Sequence, residues 1–97
     1  MPMYQLTPLI NNAEELKAAV VNAVLEMDRY ELPSNAGWLI HYKGTSIELS
    51  NLIGITGQEK GVASAIGSVL IVPFTTYYGR ASTAMWEWLK TRFESGA

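Results

Sequence analysis

The chain has no cysteine. That excludes a disulfide framework, a thiolate metal site and a cysteine nucleophile. His41 is the only histidine and Asp28 the only aspartate. A zinc site needs several nitrogen or sulfur ligands, and a calcium or magnesium site needs converging carboxylates. Neither pattern is present, so no metal and no cofactor is expected. Charge is also scarce, at 16% of 97 residues, against roughly 25% in a typical globular domain. Long apolar runs are missing too. The longest, residues 69–72 and their neighbours, falls far short of the ~20 residues of a membrane span. The first ten residues, MPMYQLTPLI, hold no basic segment and are interrupted by Pro2 and Pro8, so no secretory leader is read there. With no cysteine to oxidise, a reducing, cytoplasmic setting is expected.

Hydrophobic residues make up 48% of the chain. That is enough to offset chain entropy, so disorder is excluded and residues 1–97 read as one domain. The net charge is -2. Non-specific nucleic-acid binding rests on clustered cations. Here Lys17, Arg29, Lys43, Lys60, Arg80, Lys90 and Arg92 are spread along the sequence, which argues against DNA or RNA as a partner. A small charge-poor domain presents much uncharged surface, which suits contact with another protein or with a second copy of itself.

The pattern predicts an α+β domain. A first helix over residues 13–31 is capped by Asn12, with Glu15 three positions on. Its apolar stripe is Leu16, Val20, Ala23, Val24, Met27 and Tyr30. Val21 and Leu25 form a second strip on nearly the opposite side, and Pro33 ends the element. Residues 38–42 and 45–49 read as a β-hairpin turning at Lys43 and Gly44. Residues 52–56, 62–66 and 68–74 continue it as an antiparallel meander of three to four strands, with a short helix over 58–65 as the alternative for its middle. A last helix covers 80–94, with Ser82 and Thr83 near its start and Tyr78, Met85, Trp86, Leu89 and Phe93 as its apolar face. Trp88 points off that face. Both helices are expected on one face of the sheet.

On the hairpin reading, His41 lies across from Ser46 and diagonal to Glu48. Those are the residue types of a hydrolytic triad, but no presenting turn or oxyanion hole accompanies them. The run GITGQEKG holds Gly57 and Lys60 but not the phosphate-loop order, which needs Lys directly after Gly and a hydroxyl residue after it. The chain is therefore read as no enzyme.

Three tryptophans, five tyrosines and two phenylalanines remain. Tyr77, Tyr78 and Trp88 fall near Arg80 and Arg92, and these are the residue types of interface hot spots. Together with Val21 and Leu25 they are the candidate partner-binding set. The expected function is a protein–protein interaction module, a small inhibitor or adaptor of the phage or mobile-element accessory style, acting by occluding a partner surface. The alternative is a small-molecule binder with an aromatic and arginine pocket. Convergence of the aromatics on a concavity would favour the ligand; a flat patch would favour a protein.

Overall fold

The structure, a computed structural model, describes residues 3–95. It contains four strands and three helices. These are β1 (Met3–Pro8), α1 (Ala13–Ala23), β2 (Arg29–Leu32), β3 (Gly37–His41), α2 (Ser46–Ile53), β4 (Val69–Phe74) and α3 (Thr83–Ser95). The strands form one antiparallel sheet in the order β2-β3-β1-β4. The α+β class is as expected, but the meander is not. The element nearest the N-terminus sits inside the sheet, between β3 and β4.

Side chains alternate across a strand. In β1, Tyr4 and Leu6 enter the main core with Leu16 and Val20 of α1, Leu49 and Ile53 of α2, and Trp38 and Ile40 of β3. Met3 points the other way and joins Leu39 and Leu89 in a second core, with Met85, Trp88 and Phe93 of α3 against it. So α1 and α2 cover one face of the sheet and α3 covers the other. The expectation of two helices on one face is corrected: the sheet is central and has a core on each side. Each fully buried Leu or Ile contributes roughly 1.5–3 kcal/mol.

The first helix is shorter than its stripe implied. It stops at Ala23, and the chain passes through a 3-10 turn, Glu26–Asp28, into β2. Arg29 makes this stop possible. Its guanidinium donates to the carbonyl of Val21 at 3.4 Å and to that of Val24, placing a cation on carbonyls the helix end leaves unpaired. Tyr30 and Leu32, two apart, then pack toward α3.

Asn12 precedes α1 as expected, but its side chain does not cap the helix. It is buried, and its amide donates to the carbonyls of Ile66 at 2.9 Å and Ser68 at 3.0 Å. This bond pair ties the long connection between α2 and β4 to the start of α1.

The second arm of the expected hairpin is a helix. Thr45 accepts from the Glu48 amide, and the Glu48 carboxylate accepts from the Thr45 amide, both at 3.1 Å. This is a complete capping box, and it commits residues 46–53 to helix. Gly54 closes α2 in the left-handed conformation, φ 98°. The expected strands at 52–56 and 62–66 do not form, nor does the alternative helix over 58–65. Residues 54–68 are instead held by side chains: Gln58 and Ser64 both donate to the Gly54 carbonyl at 2.8 Å.

Tyr4 donates to the Gly44 carbonyl at 2.5 Å. Burial, then the nearby Glu48 and Tyr42, hold its phenol above the ordinary range, so it stays a neutral donor. Strand β4 and helix α3 lie close to their expected positions. The Ser82 hydroxyl accepts from the Met85 amide at 3.3 Å and serves the N-terminus of α3.

Candidate protein-contact surface

The candidate residues separate into two groups. The first lies where α1 turns into β2. Val21 is 46% exposed, Leu25 70% and Met27 60%. The turn carrying Leu25 and Met27 is pinned from the opposite face of the sheet: the Trp88 indole donates to the Met27 carbonyl at 3.2 Å. Trp88 also packs against Tyr30, with ring centroids 5.9 Å apart. It therefore lies at the core edge, half-buried. Met27 falls on the expected core stripe but is exposed. It reaches solvent because α1 ends four residues earlier, a stop that no cap or glycine announces in the sequence.

Beneath this turn lies a polar cluster. Asp28 Oδ1 is 3.3 Å from His41 Nδ1 and 3.6 Å from the Arg92 guanidinium. His41 is buried, and its Nε2 has no hydrogen-bond partner among the described residues. Arg92 is thus partly buried and pairs with Asp28, which removes it from the open contact surface. The cluster links β3, the 3-10 turn and α3, so it positions the Leu25–Met27 segment. Asp28→Asn keeps the shape but removes the charge facing His41 and Arg92. A loss of about 1–3 kcal/mol is expected, readable as a lower urea midpoint with an unchanged slope.

The second group is Tyr77, Tyr78 and Arg80, in the connection from β4 to α3. Tyr77 stacks on Trp86 at 5.6 Å and lies 5.1 Å from Phe93. Tyr78 and Arg80 are exposed. Trp86 and Trp88 are two residues apart on a helix, so they point about 200° from each other. The two groups are consequently on different sides of α3 and do not converge on one pocket. A depression of about 780 Å³ lies elsewhere, between α1, α2 and the 54–68 connection. Alanines line much of it and no aromatic residue does.

No triad is assembled. Ser46 is the first residue of α2, and Glu48 is engaged in the capping box. His41 follows Ile40 in β3 and so faces α3, away from both. Among the described residues no cluster of three His, Cys, Asp or Glu could hold a metal, and no helix is long and apolar enough to cross a membrane. Comparison with family models, curated proteins and solved structures finds no match.

Proposed function

We propose that the chain is a non-catalytic protein-binding module that works as a small inhibitor or adaptor by covering a surface of another protein. The observation that carries this reading is the exposure of Val21 at the end of α1 and of Leu25 and Met27 on the turn that follows, a turn that Trp88 and the Asp28 cluster fix in place. Fixing the turn beforehand removes ordering entropy that binding would otherwise have to overcome. The aromatic and arginine residues offered for a ligand pocket lie on separate sides of α3, which favours the protein partner over the small molecule.

The test is capture of a partner from the native host by wild-type protein and by Leu25→Lys. A lysine in the centre of an apolar contact is expected to weaken binding about 30-fold or more. The melting temperature should stay within a few degrees of wild type, since Leu25 touches little of the core. A partner captured equally well by both proteins sinks this surface.

A further inference from the structure

We infer that β4 pairs edge to edge with β4 of a second copy of this chain, joining two sheets into one of eight strands. β4 is an outer strand of the sheet. The Leu9 amide donates to the Ser68 carbonyl at 3.1 Å. In that register the β1 bonds continue at Leu70, Val72 and Phe74. Val69, Ile71 and Pro73 therefore turn their main-chain groups outward. Pro73 fits there because it has no N–H to give to β1.

The two sheet edges are not alike. Strand β2 carries an exposed charge at Glu31 and runs into Pro33, two of the usual defences against strand addition. Along β4 there is no charge, and residues 61–79 hold no charged side chain at all. Apolar groups flank this edge on both sides. Leu70 is 50% exposed and Val72 43% on the α3 side. On the other side Ile47 is 70% exposed. With Val69 and Ile71, it lines a depression of about 230 Å³ between α2 and β4.

The occupant follows from self-complementarity. An edge that meets its own copy places any charge opposite its like, and β4 has none to oppose. The pairing that sets Leu70 against the second copy's Leu70 lets Val69 and the second copy's Ile71 exchange two hydrogen bonds. The two-fold axis makes two more. Pro73 then falls beyond these bonds, opposite Gly67. Shifting the centre to Ile71 would set the Val69 carbonyl against a proline with no N–H. In the Leu70-centred register the second copy's Ile71 lies beside Val69, over the depression under Ile47. This surface is separate from the Val21–Met27 surface, so the two proposals succeed or fail independently.

A stable dimer covers about 800 Å² on each partner, roughly an eighth of the 6333 Å² of this protein. A six-residue strand is only ~20 Å long, so Ile47 must contribute and the dimer should form at micromolar concentrations.

The test uses the absence of native cysteine. Leu70 and its copy form a non-hydrogen-bonded pair, with Cα atoms about 4.5 Å apart, which is within disulfide range. Leu70→Cys should oxidise to a covalent dimer at least about ten-fold faster than Tyr78→Cys, an exposed control. Val72→Cys, displaced from its own copy, should not exceed the control. In sedimentation at tens of micromolar, wild type should be dimeric and Leu70→Lys monomeric. Should Leu70→Lys fail to fold, the cysteine variants decide alone. A wild-type monomer at high concentration overturns the proposal. So does a Leu70→Cys rate equal to the control, or a dimer that Leu25→Lys disrupts and Leu70→Lys does not.

Discussion

Gly37→Ala is expected to remove a large share of the chain's stability. Gly37 opens β3 with φ +122°, in the region that suits glycine. A methyl group there would stand 1.9 Å from the Leu6 carbonyl oxygen and 3.0 Å from its carbon. Both atoms are backbone of β1, so no side chain can swing aside. Relief requires separating β1 from β3, and both lie inside the sheet. A strained φ costs on the order of 1–3 kcal/mol. The separation of two paired strands adds to it, so a total of about 4 kcal/mol or more is expected. Small domains hold roughly 5–15 kcal/mol in all. Circular dichroism with urea titration should show a transition that begins near zero denaturant. Gly61→Ala is the control. It also has a positive φ, +86°, but no atom lies within 4 Å of the added carbon. It should lose only about 1 kcal/mol. Equal stability of the two variants would mean that β1 and β3 do not approach as described.

The second large effect distinguishes two roles for one residue. If Asn12 acted only as a helix cap, Asn12→Asp would be neutral or stabilising, since aspartate caps as well as asparagine. In the structure its amide faces the carbonyls of Ile66 and Ser68. An aspartate has no N–H to give them, and its charge would be buried against two carbonyl oxygens. The expected loss is about 3 kcal/mol or more, with Asn12→Ala less severe because it adds no charge. Thermal unfolding should rank wild type above Asn12→Ala, and Asn12→Ala above Asn12→Asp. A stable aspartate variant would return Asn12 to the capping role.

These two residues also show what the sequence made legible. Asn12 was visible as a helix start, because the residue before an Ala- and Glu-rich stretch is a local matter. Its bonds to Ile66 and Ser68 were not visible, because they depend on a chain segment 54 and 56 positions away. The same division holds elsewhere. Residues 38–41, 69–74 and 83–94 show their state through local alternation or periodicity. Thr45 and Glu48 carried an equally local signal, a Thr followed three residues later by Glu. The alternation of Ile47 and Leu49 with polar neighbours masked it. β1 was missed because its two partners are far off in sequence and it ends on a proline. In the candidate surface Val21, Leu25 and Trp88 were legible, while Met27 and Asp28 depended on where α1 stops. Glycine made the difference in the 54–68 connection: left-handed backbone at Gly54, Gly57, Gly61 and Gly67 breaks any strand register there.

The inner position of β1 also sets a timetable. Within this chain β1 is synthesised before either of its neighbours, yet Met3 pairs with His41 and Phe74. A nascent segment holding Tyr4 and Leu6 must wait for β3 before it can pair at all, and for β4 before both of its edges are covered. Contacts this distant in sequence slow the search for the native state, and an apolar strand kept waiting is open to the wrong partner. The prolines in and just before this strand, Pro8 and Pro2, make it a poor template for stray pairing during that wait. The second core also needs Leu89 of α3, so folding of this domain should complete only after α3 has been made.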